Sequence, residues 1–362
     1  MLVSMYLTSV QLESLKRYKY KCIDTSPFNR YMLDPFYSKL VEFFPRWLSP
    51  NVITTVGFAF TFTQFLVLAY YDGDFSLHIE AGVTPVPRWA WFYAAFAAFT
   101  YHTLDGCDGK QARRTRTQSP LGEILDHGFD AWGVLLYFSS SFCLVGMHTV
   151  TPETSYYMLV SFLFSFFVTH WEKYVTGVFV LPWCADPGFL FLAATYLGAG
   201  MFGEESLHQN MLGLCSVKDV FLWTIAVHTS VISLTWSVRL SAKMLARNPG
   251  QEVSASKLWL PLISPLVAFL SLGFWGHFSP SNILEEHPRW FFLLCALVFS
   301  DTTIRLILHQ MTNTSCAAIN KSVTVCALSS ILIVLSGLSN LEFNVLQVVT
   351  FSLVIMHVHF FV

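Results

Sequence analysis

Charge is what this chain has least of. Only 12% of its 362 residues are Asp, Glu, Lys or Arg, about half the share of a soluble domain. That shortage excludes an ordinary water-exposed surface, and a net charge of −2 leaves no basic excess for nucleic acid. The eight cysteines form no C-x-x-C pair and no Cys/His spacing that suits zinc. Cys143, Cys295 and Cys326 stand in apolar runs, where a free thiol packs as a small hydrophobe, so structural disulfides are not expected. A secretory signal is not expected either, because the opening residues lack a long apolar core and run into "KRYKYK". No internal repeat, low-complexity tract or long linker divides the chain.

What fills the space left by charge is apolar and aromatic. Hydrophobic residues make up 54% and aromatics 16%, with a mean hydropathy of +0.52. Several runs are long enough to cross hydrocarbon as helices, so the expected fold is an all-α polytopic integral membrane protein. Ten transmembrane helices are predicted, at 52–71, 88–106, 121–147, 155–172, 186–203, 219–241, 258–276, 288–309, 321–338 and 344–362. The fourth and fifth are the least regular, since "HWEKY", Pro182 and Pro187 interrupt them. Two parts are expected: a cytosolic amphipathic segment over 1–46 and a single transmembrane domain over 47–362, with a helical hairpin at 88–147. In the first part, "LDPFYSKLVEFFPRWL" places Phe36, Leu40 and Phe43–Phe44 on one broad face. That face suits either the membrane surface or packing against the transmembrane body. The chain stops inside its last apolar run, "HVHFFV", so a further tail is expected.

Loop charge sets the orientation. The amino-terminal segment is basic, whereas the loop at 72–87 carries Asp72, Asp74 and Glu80 and no Lys or Arg. Lys110, Arg113, Arg114 and Arg116 return to the first side, as do Lys243, Arg247, Lys257 and Lys321, with Glu285 and Glu286 opposite. The basic side is cytosolic, and the triplets at Asn313 and Asn320 then face the cytosol and carry no glycan.

Against this background the ionisable residues crowd into "LDGCDGKQARRTRTQSPLGEILDHGFDAWG", Leu104 to Gly133. Asp105 and Asp108, at i and i+3, share a helical face, and Asp126 and Asp130, at i and i+4, share another. A hairpin around the 110–120 loop brings the four together near the membrane interface. Isolated acids beside a membrane are usually solvated; four at helical spacing with small residues between them mark a site. Like charges this close cannot all ionise without compensation. Hard oxygen ligands without Cys or paired His favour Mg²⁺ or Mn²⁺. Gly106, Gly109, Ala112, Gly122 and Gly128 let a ligand or helix approach the backbone, and Arg113 offers a guanidinium fork to phosphate. The combination points to a nucleotide-diphosphate donor.

The pattern Asp105-x-x-Asp108-Gly109-x-x-Ala112-Arg113, eight residues, Gly122, three residues, Asp126, three residues, Asp130 resembles the CDP-alcohol phosphotransferase signature at every defined position. "KYKCIDTSPFNRY", "FPRWLSPNVIT", "PLGEILDHGFD", "HWEKYVTGVFVLPW" and "SPSNILEEHPRWFF" look like its choline/ethanolamine phosphotransferase branch, closest to the ethanolaminephosphotransferases of the selenoprotein I type. Those continue into a selenocysteine-bearing tail, which this sequence does not contain. The resemblance implies two divalent ions, Mg²⁺ or Mn²⁺, on Asp105, Asp108, Asp126 and Asp130. It implies a CDP donor on Asn51, Asp105, Gly109, Ala112, Arg113, Gly122 and Glu123. It further implies transfer of phosphoethanolamine from CDP-ethanolamine to diacylglycerol, giving phosphatidylethanolamine and CMP. The setting implied is an endoplasmic reticulum or Golgi bilayer, with the site facing the cytosol and the protein a homodimer.

Several roles stay open. The base that takes the acceptor proton is Asp130, which the resemblance offers, or His127, histidine being the side-chain type most often used as a general base. His127 alternatively only orients an Asp. Asn51 either meets the donor or caps a helix. Lys173 in "HWEKY" either meets a phosphate or snorkels as an anchor, and His309, His357 and His359 read as core or interface residues. The headgroup is ethanolamine, choline or both, because aromatics are too numerous to locate a cage for a quaternary ammonium. Intramembrane prenyltransferases also use Asp-rich helices, but in two motifs far apart in sequence. A cation transporter or scaffold would have no use for the Ala112-Arg113 phosphate clamp.

Overall fold

The computed structural model describes residues 7–24, 26–73, 75, 85–146, 150–181, 185–211, 215–227, 235, 237–239, 241–242 and 254–361. Most of the second half of the sixth expected span, together with Asp74, Glu80, Lys243 and Arg247, lies outside the described residues. The chain groups into two compact units, residues 24–151 with 181–231 and residues 1–23 with 152–180 and 232–362.

In the first of these units, the amino-terminal segment folds into α2 (Asp34–Leu40), following α1 (Ser9–Arg17), which belongs to the other unit. Leu33, Tyr37 and Val41, spaced by four, turn inward, while Phe36, Phe43 and Trp47 stay exposed. The segment is therefore amphipathic, but Tyr37 rather than Phe36 marks its buried face.

Helices α3 (Pro50–Tyr71), α4 (Arg88–Thr115), α5 (Pro120–Val145) and α7 (Ala185–Phe202) form the body of the same unit. Both α4 and α5 pack on α3, and α4 also packs on α7. A helix α8 (Val217–Val227) follows the antiparallel two-residue strands Asn210–Met211 and Cys215–Ser216.

The other unit contains α1, α6 (Pro152–Thr176), α9 (Ala255–His277), α10 (Pro288–Thr312), α11 (Lys321–Ser336) and α12 (Ser339–Phe361). Helix α10 is its axis, packing on α1, α6, α9, α11 and α12, and its middle is almost wholly buried. Two buried carboxylates here, Asp301 and Glu342, are satisfied by neighbours, which offsets the cost of burying their charge. Asp301 takes the Arg305 Nε at 2.9 Å and the Ser322 hydroxyl at 2.5 Å. Glu342 accepts from Trp275 Nε1 at 2.7 Å and from the backbone N–H of Ser281 at 2.8 Å.

Among the described residues, five helices are long and apolar enough to cross a membrane: Pro50–Tyr71, Pro120–Val145, Ala255–His277, Pro288–Thr312 and Ser339–His359. Helices also occupy the other expected spans as far as they are described. Helix α4 carries the ionisable motif that lowers its apolarity, and α11 has only 16 residues.

Candidate active site

The site begins with how α4 stops. Arg116 takes the left-handed conformation at φ 59°, and the Thr117 N–H donates to the Ala112 carbonyl at 3.0 Å, closing the last turn. Ser119 then caps α5 by accepting from the Gly122 N–H at 3.1 Å, with Pro120 preset in the first turn. This short connection returns the chain so that Asp126 of α5 meets Asp105 and Asp108 of α4. One carboxylate oxygen from each lies within 4.8 Å of the others.

Asp108 is 5% exposed, and the Thr54 hydroxyl of α3 donates to its Oδ2 at 2.5 Å. Asp130, one turn beyond Asp126, lies within coulombic range of all three acids. Its Oδ1 accepts from the Tyr101 hydroxyl, and its Oδ2 stands 3.6 Å from His127 Nδ1. That separation is an electrostatic contact rather than a hydrogen bond. His127 is buried, and Glu123 lies half-buried one turn before it.

A donor set of hard carboxylate oxygens, close together and without thiolate or imidazole, fits a divalent cation of the Mg²⁺ or Mn²⁺ kind. Asp105, Asp108 and Asp126 could hold one.

The donor residues expected from sequence fall around this cluster. Arg113 is exposed, and its Nη1 lies 3.5 Å from the point a Gly109 Cβ would occupy, so the guanidinium passes over bare backbone. Asn51 Oδ1 lies 3.3 Å from the point a Gly122 Cβ would occupy, which joins the start of α3 to the start of α5. Ser49, not Asn51, is the N-cap of α3, and Pro50 precedes Asn51 within the helix. The capping alternative for Asn51 therefore fails. Ala112 is half-buried beside Arg113.

Sequence reasoning did not find the residues that hold α4 in place. Gln111 Nε2 donates to the Pro45 and Leu48 carbonyls at 3.0 Å each. Arg114 Nη1 donates to the Val41 and Phe44 carbonyls at 2.8 and 2.7 Å. Lys110 pairs with Asp34 and donates to Ser38. Lys110 and Arg114 read as topology signals; the i, i+3 spacing of Gln111 and Arg114 was the clue that they serve one face. Tyr37 lies flat over Gly106, whose absent Cβ would otherwise sit 2.6 Å from its ring Cδ2. Burial, then the Asp186 and Asp105 carboxylates, push the Tyr37 phenol well above its ordinary range.

Other expectations resolve in the second unit. Lys173 does not snorkel: it is 1% exposed, with its Nζ 4.5 Å from the Tyr20 ring centroid and 5.4 Å from that of Phe179. Aromatic faces from the same unit supply the contact that water would have given. His309 Nδ1 contacts the Thr314 hydroxyl at 2.8 Å and His357 Nε2 that of Ser300 at 3.2 Å, as core residues do.

A model of the CDP-alcohol phosphatidyltransferase family matches residues 47–202. Over 98% of its length the chain is 34% identical to Ethanolaminephosphotransferase 1 of Homo sapiens, covering 90% of that protein. It is 28% identical to Choline/ethanolaminephosphotransferase 2 of Arabidopsis thaliana over 84% of this chain and 79% of that one. It is 32% identical to Cholinephosphotransferase 1 of Saccharomyces cerevisiae over 62% of this chain and 55% of that one.

Proposed function

The chain belongs to the CDP-alcohol phosphatidyltransferase family, and we propose that it transfers phosphoethanolamine from CDP-ethanolamine to diacylglycerol. The products are phosphatidylethanolamine and CMP. The observation that carries this reading is the clustering of Asp105, Asp108 and Asp126 within 4.8 Å, with Arg113 following Asp108 on the same helix. Near-full-length likeness to an ethanolaminephosphotransferase supports the choice of headgroup.

Asp105, Asp108, Asp126 and Asp130 would hold two Mg²⁺ or Mn²⁺ ions, which when bound neutralise the donor pyrophosphate and the departing CMP. Arg113 meets a phosphate with its fork, and Asn51, Gly109, Ala112, Gly122 and Glu123 line the donor. The diacylglycerol hydroxyl oxygen attacks the phosphorus that bears ethanolamine, its bond to CMP breaks, and the hydroxyl proton passes to His127. Asp130 lies 3.6 Å from the His127 ring, where its charge stabilises the imidazolium that forms. Tyr101 fixes Asp130 from the other side.

The reaction takes place on the cytosolic face of an endoplasmic reticulum or Golgi membrane, in a homodimer. The basic loops support that orientation, and a glycan on Asn313 or Asn320 would overturn it. A membrane assay with labelled CDP-ethanolamine and CDP-choline, each with Mg²⁺ or Mn²⁺ and diacylglycerol, tests the reading. Transfer from CDP-ethanolamine, lost in Asp126→Asn and on chelation, is the expected result. Activity with neither donor, or activity surviving Asp126→Asn, would sink it. Preference for CDP-choline would instead favour the choline enzyme.

A further inference from the structure

One turn before Asp105, on the same helix, His102 opens a second polar group of residues that the transfer chemistry does not use. His102 is 8% exposed, yet its Nε2 has no hydrogen-bond partner. Asp186 Oδ1 of α7 stands 3.6 Å from it, beyond hydrogen-bond length. The Tyr37 hydroxyl is likewise buried and without a hydrogen-bond partner, and lies within coulombic range of both Asp186 and Asp105.

Two buried polar atoms left unpartnered are expensive, and such atoms normally mark a missing ligand or water. Their surroundings say which ligand. Phe189, one turn after Asp186, stacks on the His102 ring at 5.4 Å and reaches Tyr101 at 6.5 Å and Tyr137 at 5.2 Å. The Tyr37 ring meets His102 edge-on at 6.2 Å. The place is therefore walled by aromatic rings, carries a carboxylate, and has Asp24 within coulombic range of Asp186 as a second negative charge. Aromatic faces and carboxylates both favour a cation. Arginine or a metal would need more ligands; a primary ammonium has three N–H donors. The Asp186 carboxylate, Nε2 of a neutral His102 and the Tyr37 oxygen are three acceptors.

We propose that Asp186, His102 and Tyr37 bind the primary ammonium of the donor headgroup and select it against its N-methylated forms. This inference rests on the functional reading above, because it places the headgroup one helical turn from Asp105. A quaternary ammonium has no N–H to give and would leave all three acceptors unsatisfied. Selection then comes from polar atoms the wrong substrate strands, which discriminates more sharply than shape alone.

Equilibrium binding of CDP-ethanolamine and of CDP-choline, each with Mn²⁺, is measured on the full chain and on Asp186→Asn, alongside turnover of both donors. Binding of CDP-ethanolamine falls about tenfold or more in Asp186→Asn while that of CDP-choline stays within about twofold, so the preference collapses. Tyr37→Phe shifts the ratio in the same direction by a smaller factor. A partly unfolded variant loses sites for both donors together and leaves the ratio of affinities alone. An unchanged ratio overturns the proposal, as does an equal loss for both donors with a raised metal requirement, which would make Asp186 part of the metal site. A shifted binding ratio with no turnover of either donor would overturn the functional reading and leave this one standing.

Discussion

The Thr54 hydroxyl donates to Asp108 Oδ2 at 2.5 Å, so the first helix of the body holds an acid of the second in its working orientation. A hydrogen bond to a charged group contributes about 1.5–3 kcal/mol. Thr54→Val keeps the shape and removes the donor. The expected outcome is a rise of roughly 10–100-fold in the Mn²⁺ or Mg²⁺ concentration giving half-maximal transfer. Titrating activity against metal checks it, and an unchanged midpoint would show that Asp108 is not a ligand.

The proposed role of His127 as base, supported by Asp130, is one that kinetics can test. His127→Ala is expected to lower transfer by about 10²–10⁴-fold while leaving the affinity for CDP unchanged. Comparing turnover with equilibrium CDP binding tests this. Loss of binding in step with activity would assign His127 to orientation of its neighbours.

Gly106 illustrates two opposed effects at one position. Alanine there gains about 1 kcal/mol of helix propensity, but its Cβ overlaps the Tyr37 ring, and overpacking costs about 1–3 kcal/mol. Tyr37 is 4% exposed and wedged against Leu33 and Cys107, so the ring has little room to yield. Gly106→Ala is expected to lower the thermal midpoint in detergent. A raised midpoint would mean that the amino-terminal segment is looser than its contacts imply.

Glu204, just past α7 and 6% exposed, has its carboxyl raised from 4.5 to about 7 by burial, then by Asp72 and Glu205. The folded state therefore holds a proton that the unfolded state releases. Stability contributed by that proton is full below about pH 4.5 and is lost as pH rises towards 7. Glu204→Gln should flatten this slope and raise the melting temperature at pH 8 relative to the parent chain. Melts of both proteins at pH 5 and pH 8 test it.

The acids, the glycines and the helical body were legible because each rests on local spacing: i, i+3 and i, i+4 acids, and long apolar runs. What spacing could not show was which helix supplies the floor. Asp105 and Asp126 suggest a pair of helices packed on each other, yet α4 and α5 share α3 as their common support, and Thr54 and Asn51 enter the site from it. Asp186 and His102 are far apart in the chain, and nothing in either neighbourhood announces that they meet. Lys173 misled for another reason. A lysine at a membrane edge ordinarily reaches for water, and only the fold reveals that Tyr20 and Phe179 enclose it.

The grip of Gln111 and Arg114 on the segment before α3 falls on main-chain oxygens of Val41, Phe44, Pro45 and Leu48. Such a clasp reads the path of the chain and is blind to its spelling. Within the residues from 41 to 48, the exposed Phe43 and Trp47 are thereby free to change while α4, which the main chain steadies, stays where it is.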